Sequence, residues 1–120
     1  MVLVDTSVWV NHFRKPSKEL SRLLVEMQVG IHPFIIGELA CGHMPRRREA
    51  LSLLHTLPET PIATQTEILH FIDRHSLAGT GIGFVDAHLL ASAELMDASL
   101  WTADQTLGRV ADRMNLVYTE

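Results

Sequence analysis

The sequence predicts an α/β domain with a parallel sheet. Three observations carry that expectation. Short β-branched runs alternate with longer stretches of helical periodicity along the chain. Every proline and most glycines fall at the joints between those stretches. The length of 120 residues with 47% hydrophobic side chains suits one domain over residues 1–120 that can bury a core without a staple.

Val2-Leu3-Val4 reads as the first strand, followed by a polar stop at Asp5, Thr6 and Ser7, where Thr6 or Ser7 is placed to cap a short helix through Trp9 and Phe13. Pro16-Ser17 ends that helix, and Leu20, Leu23, Leu24 and Met27 form the apolar stripe of the next, which stops before Gly30. Residues 29–32 make a brief second strand. Pro33 suits the first turn of a helix carrying Ile35, Ile36, Leu39 and Ala40 and ended by Gly42. A further helix is predicted over 46–57, and Pro58 and Pro61 bracket a turn into a short third strand at Ile62-Ala63. Ile68, Leu69, Phe71 and Ile72 keep helical spacing over 65–77, and Gly79, Gly81 and Gly83 break the chain. These glycines are not a phosphate loop, since no strand precedes them and no Lys-Ser/Thr pair follows. A long helix over 84–96 turns Leu89, Leu90, Ala93 and Leu95 inward. Ser99-Leu100-Trp101 is the fourth strand, a helix through Leu107 and Val110 follows, and Leu116-Val117-Tyr118 is the fifth.

Composition narrows the class. No apolar run reaches the roughly 18–20 residues of a membrane span, and the lone Cys41 can form no internal disulfide, so a reducing, cytoplasmic setting is expected. The formal net charge of −4 is unusual for a nucleic-acid binder. It is compatible with one if acids concentrate in a metal site, where bound cations invert the local field. The bases cluster: Arg14, Lys15 and Lys18 in one group, Arg46, Arg47 and Arg48 in another. They are candidate RNA contacts or simply solvated helix ends.

The chemistry follows from where the acids fall. In an open parallel sheet, functional groups collect outside the carboxyl ends of the strands, near the point where strand order reverses. Asp5 ends the first strand and Asp104 follows the fourth, so the two converge if those strands are neighbours. Glu38 lies in the apolar stretch 35–40 and Asp86 in Phe84-Val85-Asp86-Ala87, settings in which an unpaired charge is costly. A cation would serve both. Oxygen-only ligand sets suit Mg²⁺ or Mn²⁺. Each acid alone also reads as a helix cap: Asp86 at a helix N-terminus, Asp104 before Leu107. The seven histidines show no metal-ligand spacing and read as surface or packing residues.

The segments Met1 to Val10 with its Asp5-Thr6-Ser7, Ile36-Gly37-Glu38-Leu39, Val85-Asp86-Ala87-His88-Leu89-Leu90-Ala91 and Leu100-Trp101-Thr102-Ala103-Asp104 resemble PIN-domain nucleases, and more narrowly the VapC-type toxins of bacterial toxin–antitoxin pairs. The likeness spans essentially the whole chain. It implies a five-stranded sheet in the order 3-2-1-4-5 with helices on both faces. It also implies a catalytic Mg²⁺ or Mn²⁺ site of Asp5, Glu38, Asp86 and Asp104, with Thr6 and Thr102 lining it. One departure is visible: Gln105-Thr106 follows Asp104 where many relatives place a basic residue and a Phe. The activity implied is endonucleolytic hydrolysis of RNA (tRNA, rRNA or mRNA) that halts translation and growth. The partners implied are a VapB-like antitoxin, whose Arg can enter the acidic site, and a second copy in a homodimer, for which exposed apolar residues such as Trp9 or Met44 offer contacts.

Other classes fit less well. A receiver-like Mg²⁺-binding module needs an acidic pair after strand one, an Asp ending strand three and a late Lys, and none is present. A haloacid-dehalogenase-like phosphatase needs Asp-x-Asp, and Ser7 occupies the second position. A non-catalytic PIN-fold binding module has no need of four acids.

Overall fold

Three consecutive β-branched or γ-branched residues with both faces covered form a central strand. In the computed structural model, which describes residues 1–120, β1 (Val2–Val4) is buried along its length. β2 (Val29–Gly30) and β3 (Ser99–Trp101) pair with it in parallel on either side, Val2 opposite Val29 and Leu3 opposite Leu100. The order is β2-β1-β3. Single parallel bridges, Ile31 to Glu59 and Leu100 to Val117, add one further segment at each edge. The five predicted segments therefore lie in the order 3-2-1-4-5, with the outer two reduced to one pairing each.

The third segment pairs at Glu59, earlier than the predicted Ile62-Ala63. The Ile31 N–H donates to the Pro58 carbonyl and the Thr60 N–H to the Ile31 carbonyl, both at 2.9 Å. Pro61 has no N–H to continue that ladder, and Ile62 beyond it is exposed.

Seven helices fill the connections: α1 (Thr6–Arg14), α2 (Lys18–Val25), α3 (Pro33–Cys41), α4 (Arg47–His55), α5 (Gln65–Arg74), α6 (Phe84–Leu95) and α7 (Gln105–Arg113). The chain leaves β1 in one direction to reach β2, then crosses back over it to β3. Right-handed crossovers in opposite directions place the helices on opposite faces. Side-chain caps start most of them. Ser17 accepts from Leu20 N, His32 Nδ1 from Phe34 N ahead of Pro33, and Thr64 with Glu67 forms a reciprocal capping box. α1 is capped by Asp5, which accepts from Thr6 N at 2.8 Å, not by Thr6 or Ser7 as the sequence suggested.

The helix ends explain two further differences. Met27, Ser76, Asp97 and Asn115 all adopt positive φ between 53° and 59°. At each, two backbone hydrogen bonds fold back over the last turn, as from Met27 N to Leu24 O and Gln28 N to Leu23 O. This is the Schellman arrangement, made here without glycine. Met27 therefore turns away from the stripe of α2 and is 79% exposed, and Leu95, in the last turn of α6, is 61% exposed instead of packing inward. The remaining apolar faces close over the sheet in a core of 26 buried residues that includes Leu3, Trp9, Leu54, Leu89 and Leu100. No helix is long and apolar enough to cross a membrane.

Candidate active site

Because β1 and β3 are neighbours at the point where strand order reverses, the residues just past their carboxyl ends face one another. Asp5 follows Val4, and Thr102 follows Trp101. Asp5 is buried, 6% exposed, and three donors fix it: Thr6 N to Oδ1 at 2.8 Å, and the hydroxyls of Ser7 and Thr102 to Oδ2 at 2.8 and 2.7 Å. The two hydroxyls in turn accept from the backbone of the loop after β3, Ser7 Oγ from Ala103 N at 2.9 Å and Thr102 Oγ1 from Asp104 N at 3.0 Å. Each has one hydrogen and spends it on Asp5. Their mutual 3.4 Å separation is therefore contact and not a further bond.

The other acids come from three different helices. Glu38, on α3, accepts from the Thr6 hydroxyl at 2.6 Å, which ties α3 to the end of β1. Asp86, in the first turn of α6, accepts from Gly83 N at 2.9 Å. Asp104 caps α7 by accepting from Leu107 N at 3.0 Å. The capping roles are thus real for Asp86 and Asp104, and they coexist with membership of a cluster. Burial pushes the Asp86 carboxyl above its ordinary range; the hydrogen bond from Gly83 opposes this, and the charges of Asp5, Asp104 and Glu38 add to it. The other three acids are thus close enough to act on Asp86.

One acidic residue owes its place to a different cause from the one its sequence suggests. Glu38 is exposed, with Ile35 and Leu39 of the same helix turned into the core, so no desolvation demands a partner for it. What places it at the site is the Thr6 bond. Ser7 is the functional position that composition and spacing did not single out. Its signal was present as a hydroxyl two residues beyond a strand-end aspartate, but helix capping explained that hydroxyl equally well.

The donor set fits a hard divalent cation. In Glu38, Asp86 and Asp104 one carboxylate oxygen is held by the protein, while Oε2, Oδ1 and Oδ2 respectively carry no protein hydrogen bond. Every candidate ligand is oxygen, as Mg²⁺ and Mn²⁺ prefer. No three of these side chains surround a single point as a finished cage. Mg²⁺ needs only one or two protein carboxylates, with waters completing its octahedron.

A PIN-domain sequence profile matches residues 2–113. The chain belongs to the PIN-domain family. It is 44% identical over 108 residues to Ribonuclease VapC32 of two Mycobacterium tuberculosis strains, a match covering 89% of this chain and 87% of the relative. Among solved structures, PAE2754 from Pyrobaculum aerophilum superposes with a TM-score of 0.64 at 16% identity, covering 91% of this chain and 83% of that one. FitAB bound to an IR36 DNA fragment gives 0.57 at 15%, covering 93% and 91%. FitAcB from Neisseria gonorrhoeae gives 0.55 at 17%, covering 93% and 94%. These three carry the fold.

Around the acids of this PIN domain the bases are spread unevenly. Lys15 lines a hollow with Asn11, His12, Trp101, Ala103 and Glu120. Arg14 is exposed at the end of α1. Arg46 lines a second hollow with His12, Phe13 and Glu49, Arg47 donates to the Ala40 carbonyl at 3.0 Å, and Arg48 is exposed. The structure also corrects the surface expected for a homodimer. Trp9 is fully buried and stacked on Phe13 at 5.6 Å, and Met44 packs against the core. Trp9 has no surface left to meet a second copy, whereas Met44 is half-buried and keeps part of its side chain exposed.

Proposed function

We propose that this protein is the toxin of a toxin–antitoxin pair, a cytoplasmic divalent-metal-dependent endoribonuclease whose catalytic site is Asp5, Glu38, Asp86 and Asp104. The observation that carries this reading is the convergence of four carboxylates, from β1, α3, α6 and α7, at the switch point of a PIN-domain sheet. The 44% identity to a protein named Ribonuclease VapC32 supports RNA as substrate.

A Mg²⁺ or Mn²⁺ ion held by Asp5, Asp86 and Asp104, with Glu38 as a ligand or through water, would supply Lewis acidity toward a phosphodiester and lower the pKa of a bound water. The residues do the rest. Asp5, fixed by Thr6 N, Ser7 and Thr102, is the rigid ligand. Asp86 and Asp104 offer free oxygens from helix N-termini, whose backbone dipoles also favour the phosphate anion. Glu38, exposed and held at one oxygen by Thr6, is placed to orient water or accept its proton. Thr6 and Thr102 act through the acids they bind. Arg14 and Lys15 at the end of α1 and Arg46, Arg47 and Arg48 at the start of α4 are the cations proposed to meet the substrate backbone.

Partners of this reading are single-stranded or loop RNA, whose base edges are accessible, a VapB-like antitoxin that silences the site, and a second copy. Purified protein freed of its antitoxin is expected to cut RNA in Mg²⁺, leaving 5′-phosphate and 3′-hydroxyl ends, because attack by water spares the ribose 2′-hydroxyl. Adapter ligation that captures only 5′-phosphorylated ends tests this. Products carrying 2′,3′-cyclic phosphate would remove the mechanism.

A further inference from the structure

Beside the acidic cluster lies an aromatic patch to which the catalytic reading gives no part. Phe34 and Phe84 are the two exposed large aromatic side chains of the protein, 36% and 49% exposed. Both rings rest on the buried His88. Phe84 meets it at 4.7 Å with an interplanar angle of 83°, and Phe34 at 5.0 Å and 77°. His32, also buried, supports Phe34 from behind at 4.7 Å and stands 6.1 Å from His88. Phe84 has no aromatic neighbour besides His88, and both phenylalanines keep exposed surface despite these contacts.

Position ties this patch to the acids. Phe34 precedes Glu38 by four residues on α3, which sets both on one face of that helix. Phe84 opens α6 two residues before Asp86. A polynucleotide with a phosphate at the carboxylates would therefore run beside the face of α3 that carries Phe34 and Glu38. Charge gives the patch a purpose. The net charge is −4, and four acids crowd the site. Phosphate attraction alone is therefore a weak source of affinity here, and stacking of an unpaired base is an independent one that needs no charge.

We infer that Phe34 and Phe84, buttressed by His88 and His32, form a stacking platform for an unpaired nucleobase of the substrate next to the scissile phosphate. This rests on the ribonuclease reading above. The platform restricts cleavage to single-stranded RNA without selecting a base, because every base offers a π face.

The test uses the full chain and one short single-stranded RNA that it cuts, chosen from a random-sequence pool. Phe84→Ala and Phe34→Ala are each expected to raise KM by about tenfold while changing kcat much less, and Phe84→Trp, which keeps a π face, to return KM to within about twofold of wild type. An abasic nucleotide placed beside the cleavage site is expected to raise KM for the wild type and to add little for Phe84→Ala. Unchanged KM in both alanine variants overturns the platform while leaving the nuclease reading intact, and a loss of oligomeric mass on gel filtration at unchanged KM assigns the patch to a contact between copies instead. No metal-dependent cleavage by the wild type overturns both.

Discussion

Asp5→Asn is expected to reduce RNA cleavage by at least about a thousandfold, since losing the charged ligand forfeits several kcal/mol of transition-state charge stabilisation. The fold should survive the change. Asn keeps an oxygen to accept from Thr6 N and so keeps α1 capped. Its amide can donate to the Ser7 and Thr102 oxygens in place of receiving from them. Those hydroxyls then need new acceptors, a rearrangement costing about 1–3 kcal/mol. Cleavage rates beside a thermal melt separate the two effects. Activity within tenfold of wild type would remove Asp5 from the mechanism.

Asp86→Asn is expected to act in opposite directions on activity and stability. Cleavage falls by about two to three orders of magnitude for the same reason as at Asp5. The metal-free protein, however, should melt at higher temperature near neutral pH. The Asp86 carboxyl is raised by burial and by the charges of Asp5, Asp104 and Glu38, so the folded state holds its proton more tightly than the unfolded chain does. In that case stability falls as pH rises from the unfolded value of 3.8 through the raised folded value. At neutral pH the charged Asp86 is a net burden that Asn removes, while the Asn oxygen still accepts from Gly83 N. Wild-type activity should rise with pH over the same interval, because the cation and the proton compete for this carboxylate. A variant that melts at or below the wild-type temperature at neutral pH would show that the four acids do not repel one another as inferred. This pairing of lost activity with gained stability is expected where charge is concentrated for chemistry and not for folding.

Much of this was legible in the sequence because each signal was local. Val2-Leu3-Val4 is a continuous apolar run and Leu100-Trp101 follows Ser99 in a short strand-like run, and the acids after them fall at strand ends whatever the rest of the chain does. Pro33 and the Thr64–Glu67 pair mark helix starts within a few residues. What was not legible depends on neighbours distant in sequence. Glu38 looked like a buried charge because its flanks are apolar, yet the turn of α3 carries it outward to Thr6, 32 positions earlier in the chain. Ser7 is bound to the loop after β3 through Ala103, which no local pattern announces. Trp9 could be counted as surface only until the face of α1 turned toward the core was known. The helix ends at Met27, Ser76, Asp97 and Asn115 carry no glycine; paired backbone hydrogen bonds close each last turn there.

The central claim is that these carboxylates make a cation site on which RNA cleavage depends. The most direct measurement is the cleavage rate of the antitoxin-free protein on single-stranded RNA after chelation with EDTA, followed by titration with Mn²⁺ alone. Activity should vanish on chelation and return in a saturable way with Mn²⁺, and Asp5→Asn should show no return. Undiminished cleavage in EDTA would contradict the account.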